Sequence, residues 1–176
     1  KCKKIVSPAM NTAMFENQIT QDNIAKLKKY GIGVVEPQNG LLACGDTGAG
    51  KMPEPDFLFD VIEREIAREK DMLGKKVLVT AGATMESLDP VRFLTNHSSG
   101  KMGFAIAKEA MLRGAEVTVV KANTTAEIPN FVKIVEVSSA KDMFDAVTAL
   151  SDQQDIIVKA AAVADYTPES YVDSKI

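Results

Sequence analysis

The sequence predicts an α/β fold in which parallel strands are covered by helices on both faces, and three observations carry that prediction. Apolar strand-like runs alternate with amphipathic helical ones along most of the chain. Glycines stand where strands and helices have to end, as at Gly31, Gly82 and Gly114. The 176 residues are 45% hydrophobic, enough to bury a substantial core. A fold of this class places ligands where the C-terminal ends of strands meet the N-termini of helices.

Taken in order, the apolar pair Ile5-Val6 starts a strand, and a polar loop from Ser7 to Ile19 leads to a helix capped by Thr20. That helix carries Ile24 and Leu27 on one face and stops at Gly31. "GVVEP", residues 33–37, reads as a short strand, and the glycine-rich loop "LLACGDTGAGKMPEP", residues 41–55, follows. From Asp56, Phe57, Leu58, Val61, Ile62 and Ile66 recur at helical spacing with charges opposite. The helix runs out in "REKDMLGKK", and the domain boundary is expected between Asp71 and Lys75, dividing 1–72 from 73–176. The second unit reads as strand "KKVLVTAG", helix "MGFAIAKEAMLRG", strand "AEVTVV" and strand "VKIVEV". Ser139 then caps a helix with Met143, Val147 and Leu150 on one face and Asp142 placed to complete a capping box. "DIIVKAAAVADY" closes the series as a strand leading into a loop.

Composition narrows the function classes. A formal net charge of -3 and a pI near 5.3 give no electrostatic reason to expect nucleic acid or an anionic membrane as partner. Two cysteines, Cys2 and Cys44, make no disulfide framework and no zinc spacing, so a reducing cytoplasmic setting is expected. No apolar run approaches the roughly 18 residues that a membrane span needs. The chain opens inside a strand and stops on "DSKI" without a terminating signal, which leads us to expect interior cuts of a longer protein.

Gly45 to Met52 reads G-x-x-x-x-G-K-M, one letter from a phosphate-cradling P-loop. Met52 occupies the place of the magnesium-binding Ser or Thr, and Pro53 and Pro55 keep a helix from starting directly after Lys51. Asp46 would add negative charge beside a polyphosphate. The alternatives left open are a plain surface turn and a mobile lid carrying Cys44, whose thiol is either a small apolar filler or a proton donor. Asn11 is likewise either a turn or helix-cap residue or a ligand-holding amide. In the second unit, "TAGAT" after a strand lets backbone approach a ligand closely at Gly82. "SSGKMG" puts Ser98, Ser99 and Gly100 at a helix N-terminus that favours anions. Neither stretch fits the G-x-G-x-x-G dinucleotide fingerprint.

"SPAMNTAMFENQITQDNIAKLKKYG" followed by "GLLACGDTGAGKMPEP" resembles phosphopantothenoylcysteine decarboxylases, within the FMN-containing cysteine decarboxylase family, over about residues 1–70. The resemblance implies that Asn11 holds the substrate carboxylate, with Met14 beside it. It also implies that Ala43, Cys44, Gly45 and Asp46 form a substrate clamp whose cysteine assists the final reductive protonation. The flavin-binding segment and the catalytic histidine of such enzymes would lie upstream of Lys1, and His97 does not match that histidine.

"GKKVLVTAGATMESLDPVRFLTNHSSGKMGFAIAKEAMLRGAEVTVV" with "KAAAVADYTP" resembles phosphopantothenate-cysteine ligases over about residues 74–176. The order of the two resemblances is that of bacterial bifunctional chains. The implied fold is the C-terminal part of a flavodoxin/Rossmann-like decarboxylase domain followed by a Rossmann-like ligase domain. The implied chemistry is attack of the phosphopantothenate carboxylate on the α-phosphate of CTP, after which the cysteine amine displaces CMP. Asn96 and Arg92 are then catalytic, as is Lys175 as the first lysine of a K-x-K-K motif. Ala160, Ala161 and Ala162 read cytosine through backbone, and Asp165 faces the ribose or a magnesium ion. "VVKANTTAEIP" departs from the usual serine-glycine-proline after its strand, so no ligand contact is assigned there. The resemblance implies FMN for one half and magnesium with CTP for the other. It further implies a homo-oligomer of trimeric decarboxylase and dimeric ligase contacts, with no nucleic acid or membrane partner. Two other readings stand beside it: an NAD(P)-dependent oxidoreductase on the same strand-turn-helix plan, and a non-catalytic assembly remnant.

Overall fold

The computed structural model describes residues 2–175, as two compact units, Lys1–Glu63 and Arg64–Ile176. No described helix is long and apolar enough to cross a membrane.

In the first unit a two-residue strand β1 (Ile5–Val6) leads through "SPAMN" to helix α1 (Thr12–Glu16), which is followed by α2 (Gln18–Lys29). The sequence expectation of one loop up to Ile19 and a cap at Thr20 is corrected here. Asn11 Oδ1 accepts the Met14 N–H at 2.8 Å and Asn17 Oδ1 accepts the Ile19 N–H at 2.9 Å, so two asparagines start two helices earlier than periodicity indicates. β2 (Gly33–Val34) pairs parallel with β1. The glycine-rich stretch is a hairpin, with β3 (Gln38–Leu41) antiparallel to β4 (Thr47–Lys51) and a tip at 42–46. Helix α3 (Pro55–Ile66) follows, starting at Pro55 where a proline suits the first helical turn.

In the second unit β5 (Lys76–Ala81) is one of the two inner strands of the sheet. A hairpin of β6 (Met85–Ser87) and β7 (Phe93–Thr95) intervenes before α4 (Lys101–Leu112). β8 (Glu116–Lys121), β9 (Lys133–Glu136), α5 (Ala140–Ser151) and β10 (Ile156–Lys159) complete the chain. The sheet runs β10-β5-β8-β9 with every pair parallel, so the expected parallel sheet is present. Alternation along β5 divides its side chains between the two faces. Val77, Val79 and Ala81 pack with Val117, Val119 and the α4 residues Phe104, Ala107 and Met111, whereas Leu78 packs with Val120 and with Met143 of α5. Helices therefore cover both faces.

Two local devices hold α4 and α5. At Gly103 an added Cβ would meet the Ala81 Cβ at 2.6 Å and the Thr80 carbonyl oxygen at 3.0 Å, so the missing side chain is what lets α4 lie against β5. The capping box foreseen at α5 is complete: Ser139 Oγ accepts the Asp142 N–H at 3.1 Å and Asp142 Oδ2 accepts the Ser139 N–H at 2.9 Å.

The β6–β7 hairpin was not legible from hydrophobic pattern. Its turn is built by Asp89, whose Oδ1 accepts the N–H groups of Val91 and Arg92 at 2.8 and 2.7 Å.

Candidate functional site

Each unit carries its own candidate site. In the first, the hairpin stands against the "PAMN" segment through backbone contacts. Met10 N–H donates to the Gly50 carbonyl at 3.0 Å, and Thr12 Oγ1 donates to the Ala49 carbonyl at 2.9 Å. Gly50, at φ +118°, lies so close that a Cβ would meet the Met10 oxygen at 2.1 Å, and a Cβ on Gly48 would meet Thr12 Oγ1 at 2.3 Å. These glycines bring β4 onto the Asn11 loop; a strand, not a helix, occupies the place where a P-loop would open its anion site.

The result is a cavity of about 410 Å³ bounded by Ala9, Met10 and Asn11 on one side and Leu42, Ala43 and Cys44 on the other. Asn11 and Cys44, 33 positions apart in sequence, thus face one space. Cys44 is exposed, with its Sγ 3.6 Å from Asp46 Oδ2. Met14, Gly45 and Asp46 do not line the cavity: Met14 is exposed on α1, and Gly45, at φ +91°, turns the hairpin tip with its N–H on the Leu42 carbonyl. Asn11 spends Oδ1 on the α1 cap, so among the described residues its Nδ2 remains without a hydrogen bond. The cap reading of Asn11 therefore holds, and the cap leaves its Nδ2 available as a donor. Ser7, three residues before Met10, has its Oγ buried without a partner.

In the second unit Gly82, Gly100 and Ala160–162, though not Asp165, come together beyond the C-terminal ends of β5 and β10. In chain order the sheet's parallel strands lie 4-1-2-3, so the order reverses between β5 and β10, and a crevice opens at such a reversal. Gly82, at φ +87°, and Gly100, at φ +77°, are neighbours: a Cβ on Gly100 would come within 3.2 Å of the Gly82 nitrogen. Gly100 caps α4 without any side-chain bond. Ser98 and Ser99 hydroxyls accept only long bonds from Gly100 and Lys101 N–H, at 3.4 and 3.5 Å, which leaves the first-turn N–H groups of Met102 and Gly103 without a protein acceptor among the described residues.

The segment after β10 is laid across this edge. Ala160 and Ala161 N–H both donate to Thr80 Oγ1 at 3.1 Å, Ala162 N–H donates to the Gly82 carbonyl at 2.8 Å, and Ala164 N–H donates to Thr84 Oγ1 at 2.8 Å. Asn96 Nδ2 donates to the Val163 carbonyl at 3.1 Å. Sequence-distant Gly82, Asn96, Gly100 and Ala160–162 thus share one edge.

Arg92 is held in a two-bond fork by Asp89 Oδ2, at 2.8 and 2.7 Å, with the Asp89 side chain fully buried and the guanidinium half exposed. Asp165 and Lys175 are exposed, and among the described residues no hydrogen bond or ion pair ties either to Asn96. Among the described residues no three His, Cys, Asp or Glu side chains cluster as a metal site, Asp165 included. His97 is exposed beside Asn96. Sequence reasoning missed Thr80, Thr84 and Glu86, all buried polar groups, whereas Asp89-Pro90 reads as a turn in the sequence and Asp89 does build one. The signal of the three missed residues was polar letters inside an apolar strand and turn, which periodicity alone treats as noise.

Residues 72–176 match the family described as DNA/pantothenate metabolism flavoprotein C-terminal domain, and residues 1–67 match the family described as Flavoprotein. The chain belongs to the DNA/pantothenate metabolism flavoprotein family. It is 46% identical, over 97% of its length, to the coenzyme A biosynthesis bifunctional protein CoaBC of Vibrio vulnificus (strain YJ016), covering 42% of that protein. The corresponding protein of Mycobacterium bovis is 42% identical over the whole of this chain, which covers 43% of it. This flavoprotein-family chain therefore spans less than half the length of these curated relatives. Among solved structures, the C-terminal domain of a coenzyme A biosynthesis bifunctional protein CoaBC is 51% identical, with TM-score 0.53 over 56% of this chain and 50% of that one. The DNA/pantothenate metabolism flavoprotein of Streptococcus pneumoniae is 31% identical, with TM-score 0.52 over 54% of this chain and 42% of that one.

Proposed function

We propose that residues 73–176 form the nucleotide-binding half of a CTP-dependent phosphopantothenate-cysteine ligase, and residues 1–72 the end of an FMN-dependent phosphopantothenoylcysteine decarboxylase, two consecutive steps of coenzyme A biosynthesis. The observation that carries the reading is the meeting of Gly82, Asn96 and Gly100 with Ala160–162 where the strand order reverses. A reversal of this kind also supports the Rossmann-like description of the ligase unit. The similarity to bifunctional coenzyme A proteins supports both halves and gives the NAD(P)-dependent oxidoreductase alternative no support.

In the ligase half, the first turn of α4, flanked by Ser98 and Ser99, supplies N–H donors for phosphate. An asparagine amide carries two N–H bonds, so Asn96 can hold Val163 with one and direct the other at the acyl oxygen as charge develops there. Arg92, oriented by Asp89, and Lys175 supply positive charge for the carboxylate and phosphates. Ala160–162 present backbone to the base. Asp165 is the residue that would hold magnesium, which would supply positive charge to the nucleotide phosphates.

In the decarboxylase half, Asn11 Nδ2 grips the substrate carboxylate and Cys44, on the hairpin tip, delivers a proton beneath the closed clamp formed with Ala43, Gly45 and Asp46. Met14, exposed on α1 outside the cavity, would reach the substrate only by moving toward it. FMN, when bound, supplies the oxidation of the substrate thiol. The assembly of trimeric decarboxylase and dimeric ligase contacts is part of the same reading, and sedimentation of the intact protein checks it.

Magnesium-CTP is expected to raise the melting temperature, with about 2.7 kcal/mol of added stability at a hundredfold excess over Kd. Stabilisation by NADH or NADPH without any by CTP would overturn the ligase reading. Pyrophosphate release is expected only with phosphopantothenate and CTP together, and Asn96→Asp should lower downstream product formation by about 100-fold.

A further inference from the structure

The segment 160–167 is held to the sheet edge by buried side chains, and one of them is acidic. Glu86, on β6, is 5% exposed. Its Oε1 accepts the N–H of Ala140, the first residue of α5, at 2.7 Å, and its Oε2 accepts the Thr167 hydroxyl at 2.9 Å. The β6 backbone is tied to the same place, because Met85 N–H donates to the Ser138 carbonyl at 2.9 Å.

Burying a carboxyl group is costly unless its oxygens are satisfied, and an acidic side chain beside the N–H groups of a helix start is favourably placed. The α5 start does not need Glu86 for its cap, since Ser139 and Asp142 already form a complete capping box. The Thr167 contact is therefore the part of the arrangement with no helix-capping explanation. It lies at the far end of a strap whose other fastenings are Thr80, Gly82, Thr84 and Asn96. Among the described residues, Glu86 is the one fastening side chain that also bonds a helix, so it links the strap to α5.

We propose that Glu86 is a positioning residue: through Thr167 it registers the 160–167 strap against α5 and so sets the backbone that the nucleotide reads. The assignment of nucleotide to this strap rests on the ligase reading above; the fastening itself does not.

Thr167→Val in the intact protein removes the strap's end of the contact and leaves the Glu86–Ala140 bond in place, so the sheet and α5 should fold. Amide hydrogen exchange at Ala162 and Ala164 is expected to accelerate about tenfold. KM for CTP should rise roughly five- to twentyfold with kcat within about twofold, and Thr167→Ser should restore both. Unchanged exchange in Thr167→Val overturns the proposal, as does an equal loss in kcat that Thr167→Ser fails to restore. Faster exchange in a protein whose turnover shows no CTP dependence at all would uphold the fastening and overturn the ligase reading instead.

Discussion

At Gly50 backbone geometry and local packing make the same demand. Its φ of +118° is one that side chains resist, and its position leaves no room for a Cβ beside the Met10 oxygen. Gly50→Ala is expected to destabilise the first unit by about 1–3 kcal/mol, read from urea unfolding, and to slow any reaction that needs Asn11 and Cys44 across one cavity. Asp142 is a second instructive residue. The Ser139 N–H, and then the Ser139 hydroxyl, hold its carboxyl below the ordinary aspartate range. A depressed folded value means that the stabilisation is fully present above that ordinary range and is lost as the pH falls through the folded value. Asp142→Asn should therefore be less stable than the parent at about pH 7, and the gap should close as the pH falls through the depressed folded value. Asp155 follows the same sign, because the Lys76 N–H holds its carboxyl low at the start of β5.

At the scale of elements, α4 shows packing overruling propensity. Alanine is a better helix former than glycine, yet Gly103→Ala should cost about 1–3 kcal/mol in thermal or urea unfolding, because the new methyl would strike Ala81 and the Thr80 carbonyl. The strands of the sheet, the helices α3, α4 and α5, and the capping box were legible, since each is written in local periodicity or in neighbouring letters. The two hairpins were less so. β3–β4 is rich in glycine and β6–β7 is three residues a side, so neither carries an alternating apolar face, and their pairing is decided by the segments they pack on. The early start of α1 and α2 was hidden for a similar reason: Asn11 and Asn17 can serve as turn residues or as caps, and only the surrounding chain selects one.

At the scale of the whole molecule, the second unit depends on a β5 strand buried on both faces. Leu78 is completely buried opposite Met143, so Leu78→Ala should lose about 2–5 kcal/mol in chemical denaturation of that unit, more than any surface change in the same strand. The sequence by itself determined the class of fold, the order of the strands and helices that build the four-stranded sheet and its covering layers, and the motifs that make the family recognisable. Those properties follow from period, punctuation and residue type, which are local. Only the tertiary structure decided which residues are neighbours in space: Asn11 and Cys44 about one cavity in one unit, and Gly82, Asn96 and Gly100 with the 160–163 segment in the other. It also decided that Arg92 is held by Asp89 and that Glu86 joins a loop to a helix. The physical reason is distance along the chain. Contacts between residues tens of positions apart depend on sheet register and on glycine-permitted close approach, and no single stretch of sequence carries either.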